Sequence, residues 1–284
     1  MLSRPPHPPE IDNHHHAQSL KTEHKVATCR VLKRYYMTLD PVFDYLAQVS
    51  SSANYIAYHS LTGSVMHMSE MVRARRLPVE ITRAPLRTVR PVMLRDLYAN
   101  PEKELIRLRA NGLIVKVAHG TYIAKPDTVG CGEVWKPPFE EAAMAYATAA
   151  YGDRVPVLAG IGAARHWHTI PRAIGVTVIA VPAQHRPVTL ETGGRIIFTV
   201  RDTTRIDAIP VQVGLGIMRV TRVEQTLIDL VMRPELGGIP TEATMAAVAL
   251  LPRTDQQRLA TLITDLPQAA ATRVRQWLDE KGHQ

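Results

Sequence analysis

The stretch from Asn100 to Ala124 constrains the fold most strongly, because its punctuation admits one order of elements. Asn100 is a good helix cap, Pro101 fits the first helical position, and Glu102 favours the positive end of the helix dipole. The spacing predicts a helix over Glu102–Ala110 that buries Leu105, Ile106 and Leu108. Asn111-Gly112 stops it, since Gly readily takes the left-handed conformation that ends a helix. Leu113–Val117 then reads as a strand, Ala118-His119-Gly120 as a tight turn, and Thr121–Ala124 as the returning strand.

Upstream, Met93–Tyr98 reads as a short helix, with Val92, Leu94 and Leu97 as its apolar positions. Helix, short turn, helix and two-stranded ribbon is the order of a winged helix-turn-helix. Its first helix would lie in Ser64–Arg76, beyond a path made irregular by Pro78, Pro85 and Pro91. In such a module the second helix enters the major groove and the ribbon reaches the backbone or minor groove. Lys103 and Arg107, four apart, share a helix face and become the candidate base readers. Asn100 stands where an amide could meet a base or a phosphate. Lys116 and His119 flank the turn of the ribbon, and Arg90 and Arg95 lie where phosphate anchoring occurs.

Charge points the same way. The formal net charge is +8. Residues 1–72 carry six Lys/Arg and six Asp/Glu, and residues 126–284 carry sixteen of each. Residues 73–125 carry twelve Lys/Arg, mostly arginine, against four acids, so the whole excess lies in that segment. This is the electrostatic footprint of a nucleic-acid-binding module. The alternative is a non-catalytic interaction module whose basic face docks an acidic protein. A membrane-surface role fits poorly, because prolines interrupt the segment and it has no long amphipathic helix.

The length of 284 residues favours two domains. We expect a flexible N-terminal arm over residues 1–37, rich in Pro and His and containing His14-His15-His16, to which no function is assigned. Residues 38–125 would hold a helical segment and the winged helix. Residues 126–138, with Pro at both ends, would be the linker, and residues 139–284 a mixed α/β domain. There, Phe139–Tyr151 and Leu158–Trp167 read as helices, followed by five strands over Gly175–Pro182, Arg186–Leu190, Arg195–Val200, Ile209–Val213 and Ile217–Val220. A Thr221-x-x-Glu224 capping box would open the next helix, and a Thr254-x-x-Gln257 box a later one. The fold class expected is α+β.

Catalytic chemistry finds little support. There is no Walker loop, HExxH, GxSxG or paired-cysteine motif. His166 and His168 diverge if they sit on a helix, and Asp207 lacks the acid and lysine that a magnesium-dependent nuclease site needs beside it. Cys29 and Cys131 cannot make a disulfide framework or a four-thiolate site. No enzyme activity, cofactor or metal is expected. No apolar run reaches the roughly 18–20 residues of a membrane span and no secretory leader stands at the N-terminus, so a cytoplasmic protein is expected.

Three motifs in order carry a resemblance: Leu108–Ile114 with His119–Tyr122; Leu158-Ala159-Gly160-Ile161-Gly162-Ala163-Ala164; and Arg219–Leu230 with Arg233–Gly238. Together they resemble the AbiEi-like antitoxins of type IV toxin–antitoxin systems. The resemblance implies a transcriptional autorepressor that binds repeats in its own promoter. It also implies a C-terminal domain that counters a cognate nucleotidyltransferase toxin without being an enzyme. Two departures stand out: about 70 residues precede the DNA-binding module here, and the stretch between Arg76 and Arg90 is broken by prolines.

Overall fold

The computed structural model describes residues 77–130 and 133–282. The expected N-terminal arm, the helices expected between Thr38 and Arg76, and Cys131 lie outside the described residues. Of the described residues, 77–126 and 135–282 belong to one compact unit. The architecture is mixed α+β, with two sheets.

The unit opens with a single helical turn, α1 (Val79–Thr82), and a two-residue strand, β1 (Thr88–Val89). Helix α2 (Pro101–Ala110) follows, then β2 (Ile114–Ala118) and β3 (Thr121–Ala124). Asn100 caps α2 as its sequence position requires, its side-chain oxygen accepting from the Lys103 backbone N–H at 3.1 Å. Gly120 turns the hairpin with φ +63°. β1 adds to the outer side of β3, giving an antiparallel sheet in the order β1-β3-β2. A small core of its own, including Ile81, Val89, Leu94, Leu105, Leu108, Ile114 and Ala124, holds helix to sheet.

The segment read as a helix over Met93–Tyr98 is instead a 3-10 turn, Pro91–Leu94, followed by further turns. Only Leu94 of its apolar residues is buried, while Val92, Met93 and Leu97 face outward. One buried side chain gives an α-helix too little packing to hold it.

The larger sheet comprises β4 (Val157–Ala159), β5 (Val176–Val181), β6 (Val188–Thr189), β7 (Arg195–Val200), β8 (Ala208–Val213) and β9 (Gly216–Thr221). Its order is β6-β7-β5-β4-β9-β8, with β5–β7 and β4–β9 parallel and the other pairs antiparallel. Leu158 begins not a helix but part of the central strand β4, and the helix α4 (Gly160–His166) starts after it. Gly160 makes that strand-to-helix turn with φ +51°. Gly162 has no room for a side chain, because a Cβ there would come within 2.3 Å of Thr177 Oγ1 and 2.7 Å of Leu158 Cδ1.

Helix α3 (Phe139–Tyr151) explains how the two sheets share a core. Ala142, Ala143, Ala145 and Ala147 are all fully buried, and they pack in one cluster with Val117 and Ile123 of the small sheet and Leu158, Ile179 and Ile196 of the large one. Alanine is the side chain that lets a helix lie between two layers at close range. Polar contacts add to this: Thr88 Oγ1 donates to the Ala145 carbonyl at 3.3 Å, and Glu141 Oε2 accepts from the Leu215 N–H in the β8–β9 turn.

The opposite face of the large sheet is covered by α4, α5 (Val223–Met232), α6 (Pro240–Leu250), α7 (Gln256–Thr264) and α8 (Gln268–Gly282). Neither predicted capping box forms. Thr221 is the last residue of β9, and its hydroxyl meets Thr226 Oγ1 at 2.7 Å. Glu224 instead accepts from the Asp255 N–H at 2.8 Å, tying α5 to the start of α7, where Asp255 itself is the cap.

Candidate nucleic-acid interface

Helix α2 sorts its side chains sharply. Leu105 and Leu108 are fully buried against the small sheet. Ile106, expected in that core, is 67% exposed. At about 100° per residue, Ile106 sits well away from the buried stripe that Leu105 and Leu108 define. The outward face therefore carries Glu102, Lys103, Ile106, Arg109 and Ala110, all of them exposed.

The seven residues singled out from sequence divide into two groups. Four are engaged inside the unit. Asn100 spends its oxygen on the cap. Arg90 donates to the Ala149 carbonyl of α3 at 3.1 Å. Lys116 lies along β2, with its ammonium 2.6 Å from Glu191 Oε1 in the β6–β7 turn. Arg107 reaches sideways to Glu104 with two guanidinium nitrogens, at 2.9 and 2.5 Å. That fork holds the Glu104 carboxyl below the usual carboxylate range, the Arg107 hydrogen bond outweighing burial.

The remaining three are Arg95, Lys103 and His119, all exposed. Arg95 follows the 3-10 turn before α2, Lys103 is on the outward face of α2, and His119 is at the tip of the hairpin. Arg109, which sequence reasoning passed over, belongs with them. Six residues set it about 120° from Lys103 around the helix axis, so spacing gave no signal for it, and its exposure in the fold is what marks it. Arg87, also basic, is taken up by the Ala124 and Lys125 carbonyls.

Elsewhere in the unit, charge is used differently. Beneath α5 lies a cavity of about 180 Å³ bordered by Thr199, Arg201, Asp229 and Arg233. Asp229 Oδ1 accepts from Arg201 at 2.5 Å and from Gln225 at 2.9 Å, and Arg233 donates to Thr199 Oγ1. Burial pushes the Asp229 carboxyl up, against the pull of Arg201. These contacts pin α5 to β7 and to the residues that follow it. Asp207, the nuclease candidate, pairs with Arg222 at 3.3 Å and Arg258 at 3.7 Å. His166 ends α4, where burial lowers its imidazole pKa. Among the described residues no three His, Cys, Asp or Glu side chains converge as metal ligands would, and no helix is long and apolar enough to cross a membrane.

No family model and no curated protein matches the chain. Among solved structures, the crystal structure of the RV2827C protein from Mycobacterium tuberculosis aligns over 73% of this chain and 79% of that one, with 20% identity and a TM-score of 0.49.

Proposed function

We propose that the protein is a DNA-binding transcriptional autorepressor and the antitoxin of a type IV toxin–antitoxin pair. Its small α/β module would be a winged helix with α2 as the reading helix. The observation that carries this is the outward face of α2. Lys103 and Arg109 project there with no side-chain partner among the described residues, while Arg90, Lys116 and Arg107 are tied to acceptors of the unit itself. Cations without a side-chain partner on an exposed helix suit a polyanion, and an α-helix fits the major groove of B-DNA. Arg95 and His119 would contribute backbone contacts on either side.

The antitoxin half of the reading rests on the resemblance, and two of its three motifs lie side by side in the fold. The second and third motifs form adjacent strand–helix units, β4–α4 and β9–α5, whose strands pair in parallel at Val157↔Arg219 and Leu158↔Val220. The first runs from the end of α2 into the hairpin. The partner it implies is a nucleotidyltransferase toxin, whose growth arrest coexpression of this chain would relieve. The second reading, a basic face for an acidic protein, draws on the same cations.

Fluorescence anisotropy of the full chain against its own upstream DNA and a shuffled duplex, across a salt series, tests the DNA claim. The expected result is a preference of about 10³-fold or more for the upstream duplex, with a steep fall in affinity as salt rises. Equal binding to both duplexes would overturn the repressor reading, and salt-insensitive binding would favour the protein partner.

A further inference from the structure

We propose that Ile106 reads thymine, by packing its side chain against the 5-methyl group in the major groove. This rests on the DNA-binding reading above and goes beyond it, because it assigns base discrimination to an apolar side chain and not to the basic ones.

The placement of Ile106 is otherwise costly. It is 67% exposed, yet the packing of α2 is already supplied by Leu105 and Leu108. Helix propensity gives no reason for it, since a β-branched residue is worse there than Ala, Lys or Glu. The hairpin beyond α2 is held by Ile114 and Ile123, which are buried without its help. The Ile106 side chain is therefore open to a partner outside the described residues.

Its neighbours select that partner. At about 100° per residue, Lys103 and Arg109 lie roughly 60° to either side of Ile106 around the helix axis. Ala110, also on this face, is small enough not to shield it, and Glu102 lies at the N-terminal end of the same face. A protein surface seated on Ile106 would have to desolvate two cations that lack side-chain partners among the described residues. A DNA groove neutralises both, because phosphates line its two edges. Between those edges the thymine methyl is the apolar group that a base pair presents, and apolar side chains contact it in direct readout. Cation, apolar group, cation is therefore the complement of a groove floor that carries thymine between two phosphate walls. Arg107, the residue that spacing alone points to, is held by Glu104 about 100° around the axis from Ile106.

The test uses the full chain and a duplex selected from a random pool by binding to it. Each thymine of that duplex is replaced singly by deoxyuracil, which removes the methyl group and keeps the pairing. Affinity is read by anisotropy. At one or two positions the wild-type protein should lose about fourfold in affinity, the worth of one buried methyl-sized group. Ile106→Ala should lose a similar factor on the thymine duplex, be indifferent to uracil at those same positions, and unfold at an unchanged temperature. Wild-type affinity that ignores uracil at every position would overturn the proposal, as would an Ile106→Ala protein that remains sensitive to it. Failure of the pool to enrich any duplex would overturn the DNA reading as well, whereas enrichment without methyl dependence would remove the role of Ile106 alone.

Discussion

The basic module around α2 and the large-sheet half of the same unit handle charge in opposite ways. In the sheet half, several arginines fasten one element to another: Arg165 pairs with Glu140, Arg201 with Asp229, and Arg222 and Arg258 share Asp207. In the module, Glu104 occupies Arg107 and backbone carbonyls occupy Arg87 and Arg90, yet Arg95, Lys103 and Arg109 still face outward. The apolar surface divides likewise. Val79, Val92, Met93, Leu97 and Ile106, five of the ten large apolar residues exposed among those described, fall within the module. The excess of charge along a chain thus locates a region, and only the pairing of that charge locates a face. Arg107, the reader that sequence spacing selects, is occupied by Glu104 in the fold, while Arg109, which it passes over, faces outward.

The largest expected effect would come from breaking a fastener in the sheet half. Asp229→Ala leaves Arg201 and Gln225 without their shared acceptor and should destabilise the unit by about 3 kcal/mol, read by urea denaturation. Asp229→Asn separates charge from shape. Because burial raises the folded-state pKa of Asp229 above its unfolded value, the protonated carboxyl favours the folded state. Wild-type stability should therefore fall as pH climbs from the ordinary aspartate range through the raised folded value, and Asp229→Asn should lack that fall. A parallel pH dependence in both proteins would show that the cavity does not perturb this group.

In the module the pattern should reverse, with binding lost and stability kept. Arg109→Ala should weaken affinity for the selected duplex by about 1–3 kcal/mol if it meets a base, or lower the salt slope by about one if it meets a phosphate. Its unfolding temperature should stay within a degree or two, as befits an exposed side chain. Arg107→Ala, two residues earlier and on the opposite flank of α2, should cost clearly less affinity than Arg109→Ala. The reverse order would mean that the Glu104 fork opens on DNA.

The smallest effect concerns that fork itself. Glu104 has a folded pKa below its unfolded one, so its contribution is present above the ordinary glutamate range and is lost as pH falls through the lowered value. For a surface pair this contribution is at most about 1 kcal/mol. Glu104→Gln should flatten the acid side of the stability curve by no more than that.

Much of the fold was legible because local chemistry dictates it. The Asn100–Pro101 start and the Asn111-Gly112 stop bound α2 within a residue, and Gly120 marks the hairpin turn. Arg195–Val200 forms β7 at the limits read from the sequence. What failed was decided at long range. Leu158-Ala159 reads as helix from its small neighbours, but it is recruited as strand by Ile179 and Val220 on either side. Thr221 and Glu224 have the spacing of a capping box, but β9 takes the first and the Asp255 N–H takes the second. Ile106 fails for a subtler reason. Three apolar residues over four positions cannot all face one side of a helix, and sequence alone does not say which is left out. The candidate face was half legible for the same reason: Lys103 could be found by charge, whereas Arg109 and Ile106 needed the buried side of α2 to be known first.

The most direct measurement is a matched removal of charge from each half. Lys103→Ala with Arg109→Ala, and separately Arg273→Ala with Arg275→Ala on the exposed side of α8, lower the net charge by the same amount. Affinity for the upstream duplex is then measured across a salt series. The account predicts a loss of about 10²-fold or more, with a shallower salt slope, for the α2 pair and near wild-type binding for the α8 pair. Equal losses from the two pairs would contradict it, because binding would then follow total charge and not the face of α2.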